Sequence, residues 1–262
     1  MSDNPNPNLE PRQTQVTSHL AGQGAMLSEL RLLLPALRPG TTRADARRAI
    51  LQDNILHRDS LGSRTEVVKK LNARYFPSAA PWAVAHLVRA LQATADPQQS
   101  SLLAYVMLLW NDALAFRLGC EWLAPRLGGP AIAYTTTDIL RELERLGQET
   151  PEIASWSEST RTRIARHYLS LLRDCGYASG VTQKVLRRPY VGPEVVLFGV
   201  YLILGGGEGP AQVPNHPVFR ALGLTLTDVL DALGELNQRG RLRFATQGGV
   251  IQLSVPDEEC AP

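Results

Sequence analysis

The sequence predicts a mainly α-helical protein, a helical bundle with helix-turn-helix-like units and a C-terminal hairpin like that of a winged-helix domain. Apolar residues recur at helical spacing, capping residues precede most of these segments, and only one pair of segments alternates as strands do. With 262 residues and 44% hydrophobic content, the chain is long enough to bury a large core.

The first fifteen residues contain Pro, Asn and Gln but almost no apolar residues, which predicts a disordered tail over residues 1–15. They lack the basic and apolar regions of a signal peptide, so we expect a cytoplasmic protein. Residues 16–150 are predicted to form an N-terminal helical domain and residues 151–262 a C-terminal one.

Capping residues mark the helices of the first domain. Ser63 and Glu66 have the spacing of a capping box, which predicts that a basic helix begins at Ser63 and stops before Pro77. The expected helices cover residues 42–54, 63–76, 80–93 and the apolar stretch 102–116. That stretch is shorter than the roughly 18–20 uninterrupted apolar residues of a membrane span, so we expect it to be buried.

Start and stop residues also indicate the helices of the second half of the chain. Gly147 is predicted to end a helix that Thr137 and Asp138 begin, and the glycines at 205–207 to end an apolar one. The expected helices cover residues 137–146, 158–174, 193–204 and 226–238.

The chain is expected to end in a hairpin within residues 241–254. Arg241–Phe244 and Val250–Ser254 alternate as strands around a Gln-Gly-Gly turn. Arg239, Arg241 and Arg243 would then lie where a winged-helix domain approaches the nucleic-acid backbone. Such hairpins also occur in proteins that bind no nucleic acid, and residues 191–262 carry a net charge of −4, so this contact stays open.

The positive charge is concentrated in two blocks although the whole chain carries only +2. Residues 156–190 contain seven basic and two acidic residues, and residues 41–76 contain eight basic and four acidic residues. Clustered cations are typical of surfaces that bind a polyanion, most often nucleic acid, because each neutralised phosphate releases counterions.

Two helices in these blocks resemble each other. Residues 63–71 align without gaps on residues 160–168, and each segment follows a shorter helix. At 100° per residue, Ile164 and Tyr168 fall on one side of the second helix, and Arg163, Arg166 and Arg173 on the other.

This pattern predicts a packed face and a basic ridge, although a charged face can also simply be solvated. The predicted phosphate contacts are Arg64, Lys69, Lys70, Arg161, Arg163, Arg166, Arg173, Lys184, Arg187 and Arg188.

Motifs for catalysis are mostly absent, although a catalytic triad assembled from distant residues stays possible. The glycines at 205–209 lack the Lys-Ser/Thr of a phosphate-binding loop, and no Gly-x-Ser-x-Gly motif is present. The five histidines and three cysteines show no metal-ligand spacing. We therefore expect no enzyme activity, no cofactor and no metal site.

Several segments together resemble the BrxA family of the BREX bacteriophage-exclusion systems. These are residues 54–60, Ser63-Arg64-Thr65, the stretch Trp156–Ile164, and Leu172–Gly176. The resemblance implies a mostly helical, non-enzymatic protein that binds double-stranded DNA and works beside a methyltransferase, an ATPase and other BREX components. Two alternatives stay open: a protein–protein adaptor without nucleic-acid affinity, and an RNA-binding protein.

Overall fold

A computed structural model of the chain describes residues 16–22, 24, 26–38, 40–77, 80–248 and 250–256. The predicted tail over residues 1–15 lies outside them. Within the described residues the protein is mainly helical, as the sequence predicts. Buried side chains from both sides of residue 150 join one apolar cluster, and the division into two domains there stays a prediction.

The helices follow each other closely along the chain. A short 3₁₀ helix, His19–Gly22, comes first, and is called the N-terminal turn below. The first six α-helices are α1 (Leu27–Leu33), α2 (Arg43–Leu51), α3 (Leu61–Tyr75), α4 (Pro81–Ala93), α5 (Pro97–Asn111) and α6 (Ala113–Arg117). The next six are α7 (Thr136–Glu149), α8 (Pro151–Ala154), α9 (Glu158–Asp174), α10 (Pro193–Gly205), α11 (Pro217–Ala221) and α12 (Leu226–Gln238).

Helices α5 and α10 form the centre of the core. Every residue from Ser101 to Asn111 is buried, and so is every residue from Val195 to Ile203. Helix α10 packs against α4, α5 and α12, and a helix covered on all sides needs no polar face. Among the described residues no helix alone is long and apolar enough to cross a membrane. Pro97–Asn111 and Ala113–Arg126 meet those criteria only as a pair, with a bend of 110° between them.

The predicted capping box at Ser63 is wrong. The Ser60 Oγ accepts a hydrogen bond from the Ser63 amide at 3.1 Å, so Ser60 is the N-cap and α3 begins at Leu61. Ser63 is therefore the third helical residue, and its own amide is one of those that need a cap.

Gly147 does not end α7, which continues to Glu149. A Cβ added at Gly147 would lie 3.4 Å from the backbone nitrogen of Ala154, in the next helix. Since that distance is ordinary van der Waals contact, a methyl group would also fit there, and the packing of α7 against α8 outweighs the low helix propensity of glycine.

The five strands are β1 (Ala133–Tyr134), β2 (Ala178–Ser179), β3 (Lys184–Leu186), β4 (Arg243–Gln247) and β5 (Val250–Ser254). The first three form an antiparallel sheet in the order β1-β3-β2 that sequence analysis did not predict. Strand β4 begins two residues later than predicted. Gln247 pairs with Val250 at the end of the hairpin, and Gly248 between the strands has φ 58°; position 249 lies outside the described residues.

Candidate nucleic-acid interface

Helix α9 has the two-sided character that the sequence predicts, with the predicted bounds. The Ser157 Oγ accepts a hydrogen bond from the Thr160 amide at 3.3 Å and caps the helix. The side chains of Arg163 and Arg166 are exposed on the side away from the core. The buried residues of this helix are Ile164, Ala165, Tyr168, Leu169, Leu171 and Leu172.

The arginines of α9 differ in what surrounds them. Within the part of the chain that the structure describes, Arg161, Arg163 and Arg166 form no ion pair or side-chain hydrogen bond. Arg173 instead contacts the Asp174 carboxylate at 3.0 Å and donates to Ser170 Oγ at 3.2 Å. The uncompensated charge therefore lies in the N-terminal half of the helix, with Arg161 only half-exposed.

Helix α3 also contains both unpaired cations and a cation that is hydrogen-bonded within the protein. Lys69 is exposed and Lys70 half-buried, and neither ammonium group has a partner among the described residues. The Arg64 guanidinium donates through Nη1 to the Leu51 carbonyl at 2.8 Å, at the end of α2. Arg64 thus links α3 to the end of α2. Because a carbonyl does not neutralise the guanidinium charge, Arg64 still contributes to the positive potential of this surface.

The N-terminal turn brings α3 and α9 together, which sequence analysis did not predict. Arg74, almost fully buried in α3, donates through Nη2 to the His19 carbonyl at 2.9 Å. On the other helix, His167 Nδ1 hydrogen-bonds the Leu20 carbonyl at 2.8 Å. Because a carbonyl only accepts, Nδ1 carries the proton.

The cations of the predicted patch around Lys184 already contact other groups of the protein. The buried Lys184 side chain extends to the Gly180 and Val181 carbonyls, each 2.6 Å from Nζ, and burial lowers the pKa of Lys184. The Arg188 guanidinium pairs with Asp228 of α12. Arg187 donates to the Gly176 carbonyl at 3.1 Å and keeps an exposed, uncompensated charge. Phosphate contact by these three residues stays a prediction.

Most arginines near the C-terminal hairpin are also paired. Arg239 pairs with Glu235, and Arg241 Nη1 lies 3.2 Å from Glu194 Oε1. Arg243 is exposed and has no acidic partner among the described residues. Among the described residues, the hairpin region therefore offers one unpaired arginine where the sequence suggested three.

Two further free cations, Arg43 and Arg47, lie on α2 and were not among the predicted site residues. Both are exposed and unpaired within the described ranges. Their spacing of four places them on one face of the helix. Asp45 between them accepts from its own cap, Thr42, which lowers the pKa of that carboxyl. The spacing of the two arginines was visible in the sequence, but the hydrogen bond from Thr42 to the Asp45 carboxylate was not.

The described residues offer little for catalysis or metal binding. No group of three or more His, Cys, Asp or Glu side chains among them could hold a metal ion. Burial raises the pKa of the Cys120 thiol to about 11 and that of the Cys175 thiol further, so neither cysteine is a ready nucleophile. The feature that these residues do present is exposed, unpaired positive charge.

Comparisons with known proteins agree with this architecture. A solved structure from Magnetospirillum magneticum, described as an uncharacterized protein, has 18% sequence identity and a TM-score of 0.57 over 79% of this chain and 97% of that one. That likeness shows a shared fold. No curated protein matches the chain at a significant level. A family model for BrxA matches residues 16–198, well over half of the chain, and the protein therefore belongs to the BrxA family.

Proposed function

We propose that this protein is a non-catalytic, double-stranded DNA-binding component of a BREX system. Membership of the BrxA family supports a role in BREX-associated phage defence. The DNA-binding part of the proposal rests on the unpaired cations of α9 and α3.

The observation that carries the proposal is that Arg163 and Arg166 are exposed without a carboxylate partner among the described residues, whereas many other arginines are paired. Arg117 and Arg145, for example, both contact Glu121 and Glu149. An exposed guanidinium without a carboxylate can neutralise a DNA phosphate, and the release of the counterions condensed on the DNA favours binding. Residues three apart on a helix have Cβ atoms about 5–6 Å apart, so both side chains reach one stretch of backbone.

The same helices offer little for reading bases. Asparagine and glutamine recognise adenine edges, but α9 contains neither, and the single asparagine of α3, Asn72, is buried. Contacts from arginine and lysine to phosphates fix position without reading sequence. We therefore propose binding that depends weakly on sequence, so that random duplexes compete nearly as well as any chosen site.

The test is a titration of duplex DNA at several salt concentrations. Each of R163A and R166A should reduce the slope of log Kobs against log salt by about 0.9 and weaken binding by about eightfold at 0.1 M salt. R173A should have a smaller effect, because Asp174 already compensates that charge.

R89A is the matched control, since Arg89 is exposed on α4, which packs against α5 and α10. Unchanged affinity and slope in the R163A/R166A double variant would reject this surface. A wild-type protein that binds no duplex DNA but captures the methyltransferase or ATPase of its system would establish the adaptor alternative. Tighter binding of duplex RNA than of duplex DNA would establish the RNA-binding alternative.

A further inference from the structure

We infer that α3 and α9 contact one DNA duplex together, across the N-terminal turn, and that His167 positions the two helices for this. The inference rests on the proposed DNA binding and adds to it a single composite surface. It makes residues 19–22, which carry no phosphate-binding cation, part of the binding machinery.

The first observation is the pair of anchors. Arg74 of α3 and His167 of α9 donate to the carbonyls of two consecutive residues, His19 and Leu20, at 2.9 and 2.8 Å. The anchored carbonyls belong to residues whose Cα atoms are about 3.8 Å apart. The turn therefore holds Arg74 of α3 and His167 of α9 close to each other.

The second observation is the position of the free cations relative to these anchors. Lys70 precedes Arg74 by one helical turn, and its Cε lies 3.5 Å from a Cβ built on Gly22. Arg163 precedes His167 by one helical turn and shares its side of α9. Each helix thus places a free cation beside the turn.

The third observation is the surface between the two cations. The turn and the residues before it, 16–22, contain no acidic residue, and Ser18, His19 and Gly22 are exposed there. Glu66 in α3 and Glu158 and Asp174 in α9 lie outside this segment. Glu29 and Asp174 line a cavity of about 470 Å³ together with His167. Residues 16–22 therefore add no carboxylate of their own to the surface between the two helices.

The spacing suits a single duplex. Helices in direct contact have axes about 8–10 Å apart, so two helices on either side of one short turn are separated by at most about 20 Å. The major groove of B-DNA is about 12 Å wide. Cations on two such helices reach phosphates on both edges of one groove, whereas two separate duplexes would repel each other at that distance.

The experiment combines stoichiometry with salt dependence, using a duplex of about 16 base pairs and the full chain. The wild type should bind one duplex per chain. The K69A/K70A and R163A/R166A variants should each reduce the salt slope by about 1.8. Two duplexes per chain, or an unchanged slope in K69A/K70A beside a reduced slope in R163A/R166A, would overturn the composite surface and leave the proposed DNA binding intact.

His167 is tested by a double-mutant cycle, which separates positioning from a merely structural role. In the H167A background, K69A/K70A should change the slope by less than half of what it does in the wild type, because the α3 contacts are already misplaced. H167N should restore the full effect, since the asparagine Nδ2 can donate to the Leu20 carbonyl from the place of Nδ1. Full effects of K69A/K70A in both H167A and H167N would contradict the positioning role. A wild-type protein without duplex affinity would reject the inference together with the proposed function.

Discussion

Helix α9 and the C-terminal region of α12 and the β4–β5 hairpin are both rich in arginine, but they use the charge in opposite ways. In α9, Arg163 and Arg166 are exposed and unpaired within the described part of the chain. In the C-terminal region, Arg239 and Arg241 are held by Glu235 and Glu194. An arginine that already has a carboxylate gains less from a phosphate, because the new contact replaces an existing one. Pairing, more than the number of arginines, thus separates a candidate binding surface from a structural one.

The largest expected effect comes from reversing the free charges. The R163E/R166E variant should lose at least about 100-fold in duplex affinity at 0.1 M salt, since two phosphate contacts vanish and two repulsions replace them. Its circular dichroism should match that of the wild type, because both side chains point away from the buried residues of α9. Retained affinity would show that free arginines on this helix do not mark a binding surface.

A predicted site residue that is paired internally should show the opposite behaviour. The K184M variant loses the two bonds from Nζ to the Gly180 and Val181 carbonyls, which should lower the free energy of unfolding by about 1 kcal/mol. Duplex affinity should stay within about twofold of the wild type, with the same salt slope. Chemical denaturation and a salt titration measure the two quantities. A reduced slope with unchanged stability would instead make Lys184 a phosphate contact.

The paired arginines of the C-terminal region should contribute modestly to stability and little to binding. Exposed ion pairs contribute less than about 1 kcal/mol each, so R239A and R241A should change the melting temperature only slightly. Their duplex affinities should equal that of R89A within error. R243A serves as the internal comparison, since Arg243 lies on the same hairpin without an acidic partner. If R239A weakened binding as much as R163A does, the contrast between the two regions would be wrong.

The smallest effect is a pH dependence located in the C-terminal region. His216 Nδ1 accepts from the Val218 amide at 3.1 Å, so Nε2 carries the proton and donates to Glu208 Oε1 at 3.0 Å. Burial lowers the pKa of His216, and Glu208 opposes this shift. The unfolded chain therefore takes up the proton first, and this contribution to the free energy of unfolding is complete above about pH 6.5 and falls as the pH decreases below it.

Melting temperatures at pH 7.5, 6.5 and 5.5 check this prediction. The H216N variant keeps a side-chain acceptor for Val218 but does not titrate, so its melting temperature should fall less on acidification than that of the wild type. Parallel curves for the two proteins would show that His216 does not contribute. The salt slope of duplex binding should be the same in both proteins, since it depends on the arginines of α9 and the lysines of α3.

Local sequence patterns predicted most of the helices well. The bounds of α9 and α12 are as expected, and α5 and α10 are buried as their apolar sequences indicated. The prediction erred, among other places, at one helix start and at the small sheet. Ser60 and Ser63 are both suitable caps, and the chain uses the earlier one. The small sheet was missed because strands of two or three residues carry no periodicity, and β1 pairs with β3 about 50 positions away.

The candidate site was only partly predictable. The ridge of Arg163 and Arg166 followed from helical periodicity alone. The position of the N-terminal turn between α3 and α9 did not, because it depends on hydrogen bonds between residues 55 and 147 positions apart. Arg74 and His167 looked like ordinary members of basic helices in the sequence, and only their carbonyl partners distinguish them.

By itself, the sequence determined the mainly helical fold, the start of most helices and the presence of two basic blocks, because capping, periodicity and charge composition act over a few residues. The tertiary structure alone decided which cations remain free. Arg188 meets Asp228 across 40 positions and Arg241 meets Glu194 across 47, so their neutralisation depends on folding. Charges add along a sequence whatever the fold, whereas ion pairs form only between groups that the fold brings within a few ångströms of each other.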